Sequence, residues 1–348
     1  MTMKRVLLTG CAGFIGSHLT ARFLTNGYSV VGLDNLSRPG SRLNLDYLRA
    51  LKPQRLEFVE ADIRNVQAVN AAFIGHGPFD LIVHEAAQVA VTTSVTNPRE
   101  DFEINAGGTL NILEAMRTYS PEAFLQFAST NKVYGTVQAE TVVERDGRYQ
   151  YEALPAGVSE TCSLDFHSPY GCSKGAADQY VRDYSRTYGL RTVVLRQSCI
   201  YGTRQFGVED QGWISWFVIA AALGRPVTIY GDGKQVRDVL WCDDLVSVYE
   251  RLYEKADAVA GEVFNVGGGP RNTLSLIQLV EHLKSRGVLT QPVGYSSWRP
   301  GDQKVFVSDI EKIKQRIGWE PTVQPEEGVS RLITWVSANR ALLQAVLA

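Results

Sequence analysis

The stretch KRVLLTGCAGFIGSHLTARFLTNG, residues 4–27, decides the fold. It opens with an apolar strand at 4–8 and passes through a glycine-rich turn into a helix predicted over about 14–26, in which apolar residues recur at every fourth position. Gly27 is typical of the residue that ends a helix. A strand that turns tightly into a helix indicates a parallel α/β unit, in which the helix packs back onto the sheet.

The alternation of strand and helix continues along the first half of the chain. Further strands are predicted at 29–33, 56–60, 81–84, 124–128 and 192–195. A helix is predicted over 104–119, and another begins at Ser168-Pro169, where Ser is the N-cap and Pro occupies the first turn. The predicted fold class is therefore α/β, a doubly wound parallel sheet of the Rossmann type.

Composition excludes several classes of function. The chain has 348 residues, of which 45% are hydrophobic and 21% charged, and its net charge of −2 predicts no affinity for nucleic acid or an anionic membrane. The longest apolar run, 216–223, is too short to span a bilayer, and the apolar residues 6–8 are too few for a signal peptide, so we expect a cytoplasmic protein. The five scattered cysteines and five histidines lack the spacings of disulfide frameworks or metal sites, and no metal is predicted.

The first group of candidate functional residues is the glycine turn and the acid after the second strand. Gly10, Gly13 and Gly16 lack side chains, so the backbone can approach a pyrophosphate that the helix N-terminus stabilises. Asp34 ends the second strand, where a carboxylate accepts hydrogen bonds from ribose hydroxyls and repels a 2′-phosphate. The pattern favours NAD over NADP, although Arg38 nearby leaves NADP open.

Domain organisation follows from where the alternation stops. Beyond Tyr201 the pattern is irregular, and it resumes near 239–266. We predict an NAD-binding domain over 1–200 and about 237–270, and a smaller carboxyl-terminal substrate region over about 201–236 and 271–348. That region is expected at the carboxyl ends of the strands, where open parallel sheets bind ligands.

The second group is Thr130, Tyr170 and Lys174. Tyr and Lys four residues apart project from the same face of a helix. A neighbouring ammonium and an oxidised nicotinamide would lower the pKa of the phenol, so that it takes a proton from a sugar hydroxyl. Thr130 would hydrogen-bond the same oxygen. A Tyr-x-x-x-Lys pair occurs by chance in many helices, and here it is the glycine turn and Asp34 that favour the catalytic interpretation.

Several motifs together resemble the extended short-chain dehydrogenases that act on nucleotide sugars. They are TGCAGFIG at 9–16, His84-x-Ala86-Ala87, Asn105-x-x-Gly108-Thr109, Val133-Tyr134-Gly135, Tyr170-x-x-x-Lys174, Gly231-Asp232-Gly233 with Arg237-Asp238, and Arg299-Pro300-Gly301-Asp302. The resemblance extends over essentially the whole chain. It implies that Arg237 and Arg299 contact the substrate diphosphate, which paired guanidinium groups match well.

The stretch STNKVYG at 129–135 indicates which reaction the resemblance implies. Family dehydratases carry Asp-Glu directly after the Thr, whereas this chain has Asn131-Lys132. The 4-epimerases have small residues there and an Asn where this chain has Cys199. This stretch and the runs at 88–94, 164–180 and 210–213 resemble CDP-tyvelose (CDP-paratose) 2-epimerases.

That resemblance implies a redox-neutral epimerisation at C2. Tyr170 as phenolate removes the proton of the C2 hydroxyl while hydride passes to tightly bound NAD, and hydride returns to the other face of a rotated 2-keto sugar. Asn131 and Gln88 are predicted to hold the rotated ring. The alternatives are an NDP-hexose 4-epimerase of the same family and a non-catalytic NAD-binding regulator.

The predicted site residues fall into three sets. The catalytic residues are Thr130, Tyr170 and Lys174. The cofactor-binding residues are Gly10, Gly13, Phe14, Ile15, Gly16, Asp34, Asn35, Arg38, Asp62, Ile63, Ala86, Ala87, Gln88, Asn105, Tyr170, Lys174 and Cys199. The substrate-binding residues, for a CDP-hexose in preference to other nucleotide sugars, are Gln88, Thr130, Asn131, Ser198, Arg204, Gln211, Arg237 and Arg299.

Two further expectations concern assembly and histidines. The resemblance implies a homodimer or homotetramer that pairs through the helix of Tyr170, on which Val181 and Tyr188 continue an apolar face; burial of that face inside the monomer is the competing explanation. His84 and His167 are expected to be hydrogen-bonded structural residues rather than acids.

Overall fold

The computed structural model describes residues 3–52, 54–137, 140–209, 211–299 and 302–347. Its strands are β1 (Arg5–Thr9), β2 (Ser29–Asp34), β3 (Leu56–Glu60), β4 (Leu81–His84), β5 (Phe124–Thr130), β6 (Val142–Arg145), β7 (Arg148–Tyr151), β8 (Arg191–Gln197), β9 (Cys199–Tyr201), β10 (Val227–Tyr230), β11 (Val236–Trp241), β12 (Val263–Val266), β13 (Thr273–Ser275), β14 (Val293–Ser296) and β15 (Val305–Phe306).

The helices alternate with these strands through the first half of the chain. They are α1 (Phe14–Thr25), α2 (Ser41–Leu51), α3 (Val66–His76), α4 (Val91–Thr96), α5 (Pro98–Phe102), α6 (Gly108–Tyr119), α7 (Ser168–Tyr188), α8 (Trp213–Ala222), α9 (Cys242–Glu254), α10 (Ala256–Val259), α11 (Leu276–Ser285), α12 (Glu311–Ile317), α13 (Pro325–Ala338) and α14 (Arg340–Val346). A π-helical turn, Glu103–Gly107, precedes α6, and a 3-10 turn, Asn131–Tyr134, follows β5.

Seven strands form one parallel sheet in the order β12-β8-β5-β4-β1-β2-β3. The chain runs outward from β1 to β3 and then returns to build the other half from β4, so the direction reverses between β1 and β4. Every residue of β2, β4 and β5 is buried, as expected when helices cover both faces of a parallel sheet. The predicted doubly wound fold is confirmed.

The chain divides into two compact units. The first comprises the chain up to Val133, Ser168–Arg196 and Val246–Phe264, and it contains most of the seven-stranded sheet. The second comprises Tyr134–His167, Gln197–Leu245 and the chain from Asn265 onward.

The second unit differs in extent from the predicted substrate region because it has sheets of its own. Strands β6 and β7 form an antiparallel pair, and Tyr151 Oη donates a hydrogen bond to the Val305 carbonyl at 3.0 Å, so this hairpin belongs to the second unit. Strand β11 pairs with β9, β13 and β15 rather than with the large sheet. Consequently 134–167 and 237–245, which we expected in the NAD-binding domain, lie in the second unit.

Helix α7 carries the Tyr-x-x-x-Lys motif and begins at Ser168 as predicted. The Ser168 hydroxyl accepts a hydrogen bond from the Gly171 amide at 3.2 Å, which satisfies one of the free amides of the first turn. Val181 is fully buried in the core of the first unit, so the expectation that it contributes to a surface for self-association is wrong. Tyr188 is 49% exposed, and the homo-oligomer remains a prediction.

No helix within the described part of the chain combines the length and the apolar character needed to cross a membrane.

Candidate active site

The glycine turn after β1 is as tight as the sequence predicts. Gly10 has a φ of +71°, and a Cβ on it would lie 2.7 Å from the amide nitrogen of Ala86. A Cβ on Gly16 would lie 1.9 Å from the carbonyl oxygen of Gly10, so α1 starts in direct contact with the turn. Both glycines are therefore required by backbone packing, and the loop after β4 lies against the turn.

The first turn of α1 fits a phosphate group. Gly13 occupies the N-cap position, and no side chain among the described residues caps this end. The amides of a first helical turn lack partners within the helix and carry partial positive charge. An uncapped start, reached through a turn without side chains, leaves room for a pyrophosphate near Phe14, Ile15 and Gly16.

Asp34 connects the end of β2 to the glycine turn. Its carboxylate accepts hydrogen bonds from the Ala12 amide at 2.9 Å and the Leu36 amide at 2.8 Å. Burial raises the pKa of Asp34, and the bonds from backbone amides oppose that rise. A carboxylate accepts about four hydrogen bonds, so this side chain retains capacity for ribose hydroxyls. Arg38 lies exposed nearby.

Asp62, after β3, is hydrogen-bonded by its neighbours. Its two oxygens accept three hydrogen bonds from Arg64 and one, at 3.0 Å, from the Asn35 amide group. The Arg64 bonds lower the pKa of Asp62 to about 2. These bonds use the roughly four acceptor positions of the carboxylate, and binding of the cofactor by Asp62 stays a prediction. The neighbouring Ile63 is buried, and its Cδ1 would lie 2.5 Å from a Cβ on Gly108.

The structure brings Thr130, Tyr170 and Lys174 together inside the first unit. Thr130 is the last residue of β5, and its hydroxyl hydrogen-bonds the Tyr170 phenol. Lys174 Nζ donates to the Ala128 carbonyl at 2.5 Å and lies 4.4 Å from the centre of the Phe127 ring. All three predicted catalytic side chains are less than 10% exposed.

Burial controls the ionisation of this group. It raises the pKa of Tyr170 to about 12, although the Thr130 hydrogen bond acts in the other direction. It lowers the pKa of Lys174 to about 8, although the carboxylates of Glu85, Asp178 and Asp101 oppose that shift. Tyr170 is therefore protonated at neutral pH when no ligand is bound. Burial raises its pKa by more than the neighbouring groups lower it, whereas the sequence predicted a lowered pKa.

The two histidines lie in different environments. His84 is buried between two hydroxyls, with Nδ1 2.6 Å from Thr9 Oγ1 and Nε2 3.1 Å from Thr109 Oγ1. Burial, with the charge of Lys174, lowers the pKa of His84 to about 3, so it is neutral and no acid at physiological pH. His167 Nε2 lies 3.1 Å from Asp165 Oδ2, and both side chains are exposed.

The Gln88 side chain is hydrogen-bonded within the protein, and its contact with a sugar stays a prediction. Its amide group donates to the Ala90 carbonyl at 2.9 Å and to Asp101 Oδ1 at 2.8 Å, and its oxygen accepts from the Ala90 amide at 2.5 Å. Its backbone exchanges two hydrogen bonds with the Asn105 side chain. The side chain predicted to hold substrate therefore fixes the loop after β4.

Sequence reasoning missed Asp101 and Ser173. Ser173 Oγ donates to Asp101 Oδ2 at 2.5 Å and accepts from Asn105 Nδ2 at 3.0 Å. Asp101 follows Arg99-Glu100 and therefore reads as part of an exposed charged helix end. The π-helical turn, which the residue pattern does not predict, brings the Asn105 side chain to Asp101.

In the second unit, one predicted substrate residue is engaged by its neighbour. Ser198 donates its hydroxyl proton to buried Asp238, so it can offer a substrate only an acceptor. Arg237 lies on β11, is 9% exposed and donates to the Val236 carbonyl at 2.8 Å. Cys199 begins β9 and is half-buried.

Arg299 lies in a polar surface cluster of the second unit. Its guanidinium is 3.8 Å from the centre of the Tyr230 ring, and it donates to the Glu209 carbonyl at 3.2 Å. Gln211 pairs with Val208 through its backbone, and Arg204 has a φ of +58°. Pro300 and Gly301 of the Arg299 motif, and Asp210 of the run at 210–213, lie outside the described residues.

Comparison with known proteins places this geometry among sugar-nucleotide enzymes. Residues 7–332 match the family model described as GDP-mannose 4,6 dehydratase. A CDP-paratose 2-epimerase from Salmonella typhi is 44% identical over 339 residues, which cover 96% of this chain and 99% of that protein.

Two solved structures have the same fold over nearly the whole chain. A UDP-glucose 4-epimerase from Thermotoga maritima, solved with UDP-glucose, is 31% identical with a TM-score of 0.83, over 97% of this chain and 99% of that one. A dTDP-glucose 4,6-dehydratase from Streptomyces venezuelae, solved with NAD and TYD bound, is 30% identical with a TM-score of 0.84, over 98% and 99% of the two chains.

Proposed function

The chain belongs to the GDP-mannose 4,6-dehydratase family of extended short-chain dehydrogenases, and we propose that it is an NAD-dependent epimerase that inverts a nucleotide sugar at C2. The substrate class proposed is a CDP-hexose of the CDP-paratose and CDP-tyvelose type. The observation that carries the proposal is the 44% identity to a CDP-paratose 2-epimerase along nearly the full length of both chains. The buried group of Thr130, Tyr170 and Lys174 supports it chemically.

The cofactor proposed for the first unit is NAD. The glycine turn and the uncapped start of α1 would hold its pyrophosphate, and Asp34 would bind the adenosine ribose. When bound, NAD supplies the acceptor and donor of hydride in a reaction without net oxidation. The solved dehydratase from Streptomyces venezuelae, which has this fold, contains NAD.

The protein's own residues move the proton. Tyr170 Oη takes the proton of the sugar hydroxyl during oxidation and returns it during reduction. The Thr130 hydroxyl would turn its single proton from Asn131 Oδ1 to that oxygen and so stabilise the phenolate. Lys174 supplies a buried positive charge from the same helix. Because burial keeps Tyr170 protonated in the ligand-free protein, proton transfer needs the additional positive charge that an oxidised nicotinamide brings.

Asn131 and Lys132 argue against dehydration. Elimination of water needs an acid and a base, and family dehydratases have Asp-Glu at these two positions. The Asn131 side chain is 8% exposed and accepts a hydrogen bond from Thr130 Oγ1 at 3.3 Å. An amide neither gains nor loses a proton near neutral pH. We propose that Asn131 instead orients the Thr130 hydroxyl and the sugar beside it.

Substrate binding by the second unit is proposed for two arginines. Arg237 and Arg299 would take the diphosphate of the substrate, since a guanidinium pairs well with phosphate oxygens. Arg299 already contacts Glu209. A bound diphosphate would replace the Glu209 carboxylate as the partner of the Arg299 guanidinium. Glu209→Gln removes this competing negative charge and is therefore expected to lower the KM for the nucleotide sugar.

The deciding experiment compares CDP-paratose deuterated at C2 with the same sugar deuterated at C4. We expect NMR to show inversion at C2 and a primary isotope effect from the C2 label alone. The second candidate, a 4-epimerase, is supported by the similarity to the Thermotoga maritima enzyme. An isotope effect from the C4 label alone, with inversion of UDP-glucose at C4, would replace the first proposal by the second.

A further inference from the structure

A buried carboxylate that the proposed chemistry does not use lies beside the catalytic helix. Asp101, on α5, is 1% exposed. Its Oδ1 accepts from Gln88 Nε2 at 2.8 Å and from Asn105 Nδ2 at 3.2 Å, and its Oδ2 accepts from Ser173 Oγ at 2.5 Å. These donors are neutral, so they solvate the charge without cancelling it. Burial of a charge is costly, which makes its presence here informative.

The hydrogen bonds of Asp101 connect three segments of the first unit. Gln88 belongs to the loop after β4, which lies against the glycine turn at Ala86. Asn105 belongs to the π-helical turn before α6. Ser173 belongs to α7, directly before Lys174. One carboxylate therefore ties the loop beside the predicted cofactor site to the helix that carries the catalytic pair.

The charge of Asp101 acts on both residues of the catalytic pair, Tyr170 and Lys174. It raises the pKa of Lys174 and also the pKa of Tyr170. Two other carboxylates act on Lys174: Glu85 after β4, and Asp178 on α7, which is itself paired with Arg196 on β8. His84 on β4 is neutral and adds no charge. Asp101 thus favours the ammonium and opposes the phenolate.

We propose that Asp101 is a positioning residue whose hydrogen bonds hold the start of α7 against the loop after β4 and whose buried carboxylate favours the ammonium form of Lys174. The inference rests on the proposed function, in which Tyr170 exchanges a proton with the sugar. It predicts that Asp101 contributes to the pH range of the reaction, because a negative charge that disfavours phenolate and favours ammonium moves both ionisations to higher pH.

The test is the pH profile of kcat/KM for Asp101→Asn. Loss of the negative charge lowers the pKa of both groups, so both limbs of the profile should move to lower pH. Ser173→Ala is the matched control, because it removes the two hydrogen bonds of the Ser173 hydroxyl and leaves the Asp101 carboxyl group in place. It should reduce the rate and leave the profile in place. Asp101→Ser, which leaves room for a water molecule, is to be used if Asp101→Asn does not fold, with the same shift expected.

A profile of Asp101→Asn that coincides with that of the wild type would overturn the inference, as would an equal shift in Ser173→Ala. Ionisation of Tyr170 can also be followed without substrate, by NMR of protein labelled with 13C at tyrosine Cζ, with Tyr170→Phe to assign the signal. A lower midpoint in Asp101→Asn supports the role of Asp101, and an unchanged midpoint rejects it. Failure of the wild type to convert any nucleotide sugar would reject only the proposed function.

Discussion

Tyr170 is the residue whose loss should affect turnover most directly. Tyr170→Phe removes the oxygen that exchanges the proton and preserves the ring that fills the buried position. We expect kcat to fall by about 10²–10⁴-fold, with bound NAD retained. Tyr180→Phe is the control, because Tyr180 lies on the same helix and is 48% exposed. Near-normal kcat in Tyr170→Phe, measured by NMR of the products, would remove Tyr170 from the mechanism.

The buried Asp178 side chain allows a prediction about the stability of the protein. Its carboxylate forms a two-pronged ion pair with Arg196 at 2.9 and 3.0 Å, and the two side chains are 0% and 2% exposed. Asp178→Ala removes the carboxylate that pairs with this buried guanidinium, which should lower the free energy of unfolding by about 3–5 kcal/mol.

The matched control for this pair is Asp257→Ala. Asp257 pairs with Arg191 at 2.8 Å, but its side chain is 88% exposed, so the expected loss is below about 1 kcal/mol. Denaturation in urea measures both variants. Equal losses for the two would show that burial does not determine what the Asp178 pair contributes.

Single residues also mark the limit of what the sequence could predict. Thr130, Tyr170 and Lys174 were identified because they follow strand ends and helix periodicity, which local patterns encode. Asp101 was not identified, and neither was its hydrogen bond with Gln88, because both depend on a contact between different segments of the chain. Whether an amide faces a ligand or a buried carboxylate is decided by tertiary packing, which residue type alone does not specify.

At the scale of elements, the start of α1 allows a sharp test. Gly16→Ala places a Cβ 1.9 Å from the Gly10 carbonyl oxygen, so the helix or the turn must move. Overpacking of this kind costs about 1–3 kcal/mol, and displacement of the turn should abolish retention of NAD. Absorbance and mass spectrometry of the denatured protein measure the cofactor.

Gly75→Ala is the control for this substitution. Gly75 lies in α3, and a Cβ there meets nothing within 4 Å, so the variant should retain NAD and gain up to about 1 kcal/mol of stability. Full NAD retention by Gly16→Ala would show that the geometry of this turn is not what holds the dinucleotide.

Elements whose ends carry local signals were predicted well, and the others were not. The first helix was predicted over about 14–26 and is observed at Phe14–Thr25. The prediction is close because a glycine turn precedes the helix and Gly27 follows it. The helix predicted over 104–119 is in fact a π-helical turn, Glu103–Gly107, followed by α6. Such a turn has no sequence signature, since its extra residue is accommodated by the contacts of Asn105.

At the scale of the whole molecule, the boundaries of the two units show which interactions are long-range. The first unit follows the regular alternation of strand and helix. The second collects segments from three parts of the chain, and its strands are short, such as β9 and β15. Pairing between such distant strands leaves little trace in periodicity, which is why 134–167 was assigned to the other domain.

The reaction cycle as a whole predicts that the purified protein carries NAD. An enzyme that oxidises and then reduces the same sugar needs its cofactor in both steps, and loss of the reduced form between them would leave a keto sugar behind. We expect close to one dinucleotide per chain.

The carboxylate of Asp34, held by the Ala12 amide at the glycine turn, repels a 2′-phosphate, so the dinucleotide should be NAD rather than NADP. Arg38 is the nearby group that could reverse this preference, and Asp34→Asn should raise the NADP fraction while Arg38→Gln lowers it. Chromatography of the nucleotide released by denaturation measures both fractions; a protein that releases no dinucleotide, or mainly NADP, would contradict the assignment of Asp34.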